Sequence, residues 1–262
     1  MSRSGYYRKP KEPEREEIKQ EEAVIHCFKE NDGNYGRIRI RKALLRDGID
    51  VSEYRIARIL KRNGLEAKSG RKGGRRTPKP TAQEYIEGNL IKDKFGVEQA
   101  NALWCSDITE LRCRVKMYLC GIIDVATRRL VGWAISKNQT QSIVQTSFLM
   151  AIGRNPEIPE NAVFHSDRGC QYTAKRTKEL VESNGFKRSM SPPGSPKDNQ
   201  PIESFWRTLE CELPNIRSFT FEQASTAIVK YVEMYYNSTR LHSGIDYNIP
   251  NEFFSLRSVR FS

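Results

Sequence analysis

The spacing of apolar residues changes character along the chain. From 16 to 31 it has a helical period, with Ile18, Ala23, Val24, Cys27 and Phe28 as one stripe. Gly33 and Gly36 punctuate it. Helical spacing resumes from Arg37 to Asp47 through Ile38, Ile40, Leu44 and Leu45, and stops at Gly48. A third helix opens on Ser52, a good N-cap, and runs through Tyr54, Ile56, Ala57, Ile59 and Leu60 to a natural stop at Asn63-Gly64. Residues 68–80 lose all periodicity and read as a Gly/Pro-rich tether between domains.

A short helix is expected over 81–94. The pattern then changes to strands over Leu103–Cys113, Met117–Val125 and Arg129–Ser136. The polar gaps around Arg114 and at Ala126-Thr127-Arg128 suit hairpins. Helical spacing from Gln141 to Ile152 follows, then a strand Ala162–His165, a helix Ala174–Asn184 and a strand Phe186–Ser189. A helix opening near Asn199 and a final one over Phe221–Asn237 complete the chain. Three antiparallel strands followed by helix, strand, helix and strand form a compact α/β order. The expected organisation is a flexible segment 1–15, a helical domain 16–67, the linker 68–80 and an α/β domain 81–262.

Composition narrows the partners. The chain has 262 residues and 37% hydrophobic content, enough for one full core and a smaller second one. No apolar run approaches the roughly 20 residues that span a bilayer, and the N-terminus has no signal-peptide core, so a cytoplasmic protein is expected. The net charge is +12, and residues 1–80 carry +10 of it, with 22 basic against 12 acidic side chains. That asymmetry suggests a polyanion, with nucleic acid the commonest. Two short helices around a tight turn resemble a helix-turn-helix, and the polar face of the second holds Arg55, Arg58, Lys61 and Arg62. A solvated helical hairpin shows the same pattern. Arg71, Lys72, Arg75 and Arg76 in the linker suit a phosphate backbone. The six cysteines contain no C-x-x-C pair, which argues against a structural zinc and for packing.

Three acids fall where the elements would let them converge. Asp107 lies in the first strand, Asp167 directly follows the fourth, and Glu203 sits in the first turn of the helix near Asn199. Ile202, Phe205, Trp206, Leu209 and Leu213 would dock that helix on the sheet. Ionised acids at one site need a cation, and hard oxygen ligands select magnesium or manganese. The plain alternative is that each Asp caps a turn and Glu203 pairs with Arg207 four residues on.

The flanking blocks add what the acids alone lack. Trp104-Cys105-Ser106-Asp107-Ile108-Thr109, Tyr118-Leu119 through Asp124, and Val131-Gly132-Trp133 come first in order. They are followed by His165-Ser166-Asp167-Arg168-Gly169-Cys170-Gln171-Tyr172, Asp198-Asn199 before Glu203-Ser204-Phe205, and Tyr236-Asn237, Arg240 and His242. Together they resemble the bacterial insertion-sequence transposases of the "IS-three" family, the OrfB product, related to retroviral integrases. The family's 35-residue gap between second Asp and Glu is present between Asp167 and Glu203, and the likeness spans about residues 33–254.

The resemblance implies a ribonuclease-H-like five-stranded mixed sheet flanked by helices, preceded by the small helix-turn-helix-like domain. It implies strand cleavage and strand transfer at insertion-sequence ends, with Asp107, Asp167 and Glu203 holding two magnesium or manganese ions. Arg168 and Arg207 are further candidate DNA contacts, and His165 stands either at phosphate or in strand-end packing. Tyr236, Asn237, Arg240 and His242 are expected to clamp structure rather than touch DNA. Implied partners are inverted-repeat and target DNA, at least one further copy of the chain, and an upstream OrfA-type product, at the nucleoid. Two departures stand out: Glu210 replaces a usual basic residue, and Pro192-Pro193 occupy a loop position that is often basic. A decayed transposase acting as a repressor, or a ribonuclease of the same fold, are the alternatives.

Overall fold

The computed structural model describes residues 15–68, 97–191 and 199–259. The expected helix over 81–94, most of the linker and Pro192-Pro193 lie outside these. The chain divides into two compact units, 1–69 and 70–262.

In the first unit, α1 (Arg15–Glu30), α2 (Arg37–Arg46) and α3 (Glu53–Arg62) pack mutually. Ser52 caps α3 as its sequence suggests, its hydroxyl accepting from the Arg55 amide at 3.3 Å. The core is Val24, Cys27 and Phe28 of α1, Ile40 and Leu44 of α2, and Ile56, Ile59 and Leu60 of α3, with Tyr35 and Val51 from the connections. The apolar stripes are narrower than the sequence implies. Ile18, Ile38 and Leu45 remain exposed, because a unit of three short helices buries only the i, i+3, i+4 line facing its partners.

The second unit is built on five strands: β1 (Leu103–Arg112), β2 (Lys116–Asp124), β3 (Leu130–Ser136), β4 (Val163–Ser166) and β5 (Lys187–Met190). Their order in the sheet is β3-β2-β1-β4-β5. The first three are antiparallel, while β4 and β5 add in parallel, giving the mixed ribonuclease-H-like sheet. The period-two pattern divides β1 between two cores. Leu103, Cys105 and Leu111 face one side with α7 (Gln200–Glu212) and α8 (Phe221–Val229). Trp104 faces the other, with α4 (Gln141–Arg154) and α6 (Lys175–Ser183), beyond the one-turn α5 (Cys170–Thr173). There Trp104, Phe148, Phe164 and Phe186 meet ring to ring. Helix α4 reaches β3 closely because position 132 is glycine: a Cβ there would lie 2.2 Å from the Ser147 carbonyl oxygen.

The helix expected over Phe221–Asn237 is α-helical only to Val229. It widens into a π-helical segment, Lys230–Tyr236, and it is not the last helix: α9 (Pro250–Val259) follows. The wider turn buries Tyr231, Val232 and Tyr236 together, an i, i+1, i+5 set. The residues after it form a clamp, as expected. Asn237 bonds the Leu130 amide and carbonyl, both at 3.0 Å, and the Tyr236 hydroxyl donates to the Arg128 carbonyl. Arg240 grips Glu212, the last residue of α7, through two bonds of 2.7 Å, and the Tyr231 hydroxyl donates to the same carboxylate. His242 accepts from the Gly244 amide in a tight turn.

Arg240 and Glu212 are 3% and 6% exposed, so removing one partner strands a buried charge. Arg240→Ala is expected to cost about 3–5 kcal/mol, read as a lowered urea midpoint.

Candidate active site

Each expected acid is placed by a different part of the sheet. Asp107 lies in mid-β1 on the face that carries α7, since it shares the parity of Leu103, Cys105 and Leu111. Strands β1 and β4 pair in parallel, with Cys105 opposite His165. Two residues further along that register, Asp107 runs beside Asp167, just past the end of β4. Glu203 stands in the first turn of α7.

Two side chains help set the position of α7 through hydrogen bonds that the sequence does not announce. The Trp206 indole donates from Nε1 to Asp107 Oδ2 at 2.9 Å. The Asn199 amide, at the N-cap, donates to the Ser106 carbonyl at 3.0 Å. Asn199 is buried, and its Oδ1 has no partner among the described residues. Trp206 reads as core by helical spacing, and nothing in its spacing announces the bond to Asp107. The approach requires Gly121, which pairs with Asp107 across β1 and β2. A Cβ on it would lie 2.7 Å from the Trp206 ring and 3.2 Å from Ile202.

Burial pushes the Asp107 carboxyl up to about 6. Bonds from the Ile108 amide and Trp206 pull against that, and the charges of Asp167 and Glu203 add to it. Burial also raises Glu203, while Arg207 beside it lowers it. The three acids thus lie within electrostatic reach, yet among the described residues no three such side chains converge tightly enough to grip an ion as they stand. Asp167 turns onto the Gly169 amide at 2.9 Å, and Glu203 leans to Arg207 at 3.7 Å. The turn-and-pair arrangement weighed from the sequence is therefore present, with the three acids near one another.

Of the other named residues, His165 belongs to strand-end packing. It is buried, bonded to Ser189 and Ser191 at 2.9 and 2.8 Å, and held down to about 4 by burial, hence neutral at pH 7. Arg168 is exposed beside Asp167, and Arg207 and Glu210 are exposed on α7. Asp124, of the second block, is fully buried and accepts from Asn101 and Thr127 at the β2–β3 turn. Arg55 and Arg62 pair with Glu17 and Glu21 of α1, while Arg58 and Lys61 are exposed. Arg71, Lys72, Arg75 and Arg76 lie outside the described residues. Cys27, Cys105 and Cys120 are buried as expected, whereas Cys170 is exposed.

Two outcomes follow from this geometry. Gly121→Ala must displace the indole, and overpacking of this kind costs about 1–3 kcal/mol. A red shift of tryptophan emission and a lower urea midpoint are expected. The raised Asp107 carboxyl favours the folded state fully below about 4 and loses that contribution as pH rises through about 6. Without divalent metal, Asp107→Asn is therefore expected to stabilise the protein above pH 6, by roughly 1–3 kcal/mol. The gain should fade by pH 4 in thermal melts.

Comparison with known proteins agrees with this architecture. The integrase core domain family matches residues 97–196 and again 184–250, and the HTH-like domain family matches 14–73. The transposase for insertion sequence element IS904 of Lactococcus lactis is 35% identical over 246 residues, covering 92% of this chain and 96% of that protein. Transposase InsF for insertion sequence IS3A of Escherichia coli is 30% identical over 97% of this chain and 90% of its own length. Among solved structures, the HTLV-2 integrase catalytic core domain in complex with magnesium is 18% identical at a TM-score of 0.42, covering 60% of this chain and 96% of that one. The chain belongs to the insertion-sequence transposases with an integrase core domain, and is a polynucleotidyl transferase by class.

Proposed function

We propose that the protein cuts DNA at insertion-sequence ends and joins the freed 3′ end to target DNA, with Asp107, Asp167 and Glu203 as the catalytic set. The observation that carries this is Asp107. Its carboxylate is largely withdrawn from water, oriented by Trp206, in reach of two further carboxylates, and without a cationic partner among its interactions. Such a cluster is a poor structural device and a good divalent-cation site. The donors are all carboxylate oxygens, which fits magnesium or manganese, and three acids are enough to serve two ions. When bound, the metal would supply Lewis acidity toward the phosphoryl group and its attacking and leaving oxygens.

The chain's own part is positioning. Trp206 fixes one Asp107 oxygen and leaves the other to ligate. Asn199 ties the start of α7 to β1, and so holds Glu203 at a set height above Asp107. Arg168 and Arg207 border the acids as candidate contacts for the phosphate backbone. The basic helical unit and the linker, with Arg71, Lys72, Arg75 and Arg76, would hold the element's ends. Paired ends call for at least two copies, and an OrfA-type partner would add further end recognition. Its place of action is the cytoplasm, on nucleoid DNA. Among the described residues no helix is long and apolar enough to cross a membrane. No observation favours the non-catalytic repressor, since all three acids and their supports are intact.

The test is cleavage and joining of labelled end-sequence duplexes with magnesium. Asp107→Ala, Asp167→Ala and Glu203→Ala should each lose at least about a hundred-fold in rate while still binding DNA. Wild-type rates in any of them would sink the assignment.

A further inference from the structure

Helix α3 carries four basic side chains that its sequence does not rank. At about 100° per residue, Ile56, Ile59 and Leu60 define its core-facing side. Arg55 and Arg62 fall together on one flank, where α1 lies. Arg55 bonds Glu17 at 3.1 Å, and Arg62 pairs with Glu21, whose carboxylate also accepts from Asn63. Tyr54, Arg58 and Lys61 share a narrow stripe diametrically opposite the core. Tyr54 is 74% exposed, unusual for so large a ring. The Arg58 guanidinium lies over it, 5.9 Å from the centroid. Lys61 is exposed and makes no ion pair among the described residues.

We propose that Tyr54, Arg58 and Lys61 form the base-reading stripe of the helical unit, docked in the major groove of duplex DNA. Arg55 and Arg62 are instead turned to surface ion pairs with α1. The inference rests on the transposase reading and sharpens it. The stripe is rigid, cationic and backed by a packed core, and it spans about 10 Å, or three base-pair steps. The Tyr54 ring lies beside the Arg58 guanidinium, whose planar fork is suited to the paired O6 and N7 acceptors of guanine. Lys61, at the C-terminal end, is a point charge suited to phosphate. Glu17 and Glu21 neutralise the flank of α3 and would repel a phosphate backbone approaching there.

The full chain in EDTA, which prevents cleavage, is used to select from a pool of random duplexes, and binding to a selected duplex is then titrated with salt. A guanine preference is expected within three or four adjacent base pairs. Arg58→Ala should erase it, with roughly ten-fold loss of discrimination, and Tyr54→Ala should weaken it. Lys61→Gln should keep the preference and lower the slope of log affinity against log salt by about one. Arg55→Gln and Arg62→Gln should leave both unchanged. A photo-crosslinking residue at 54 should join to DNA, and one at 17 should not. All five positions are on the surface, and unchanged thermal midpoints confirm the fold. The proposal is overturned if the Arg55 or Arg62 variant changes the selected sequence, or if the Arg58 variant does not. Absence of any duplex binding would overturn the proposal and its DNA-binding premise together. Loss of strand transfer in the triad variants is read separately and bears only on catalysis.

Discussion

The active face depends on how closely α7 lies on the sheet. Gly121 provides the room, Trp206 fills it, and the indole N–H ends on Asp107. One close approach therefore sets both the depth of the helix and the orientation of the carboxylate. Glu203 lies three residues before Trp206, less than one turn away. A shift that frees the indole moves the acid with it. Asn199 fixes the same helix at its N-cap. The geometry of three residues distant in sequence is reduced to the seating of one amphipathic helix.

That seating has an electrostatic cost, and the structure shows where it falls. Burial stabilises α7 through Ile202, Phe205, Trp206 and Leu209, while the same apolar surroundings withdraw water from Asp107. Asp167 and Glu203 answer by turning outward to a backbone amide and to Arg207. The acids are held near each other by the fold and apart by their charge. The opposing tendency at the far end of α7 is resolved differently. There Glu212 is buried against Arg240 and Tyr231, and the charge is fully paired. One helix thus carries a committed carboxylate at its C-terminus and an uncommitted one at its N-terminus.

Much of this was legible in the sequence. Strand-like apolar runs marked β1 to β3, and Asp107 was placed within the first of them. What escaped were interactions between distant segments. The bond from Trp206 to Asp107 depends on Gly121, and no local pattern links the three. The π-helical segment looked like plain helix, because apolar spacing near four residues does not separate the two turns. Helix α9 was missed because its inward surface is small and partly supplied by stacking, with Arg129 over Phe254. The ranking of the α3 arginines needed the position of α1, which only tertiary structure supplies.

The clamp has a consequence in time. All three acids precede residue 204, whereas the groups that secure α7 and the edge of the sheet lie between Tyr231 and Arg240. A chain emerging from the ribosome displays its complete set of acids roughly 35 residues before it can hold them in place. Synthesis that stops in that interval yields a protein with all three acids and without the clamp that seats α7. On the proposed assignment, competence to cut DNA is thereby tied to near-completion of the polypeptide.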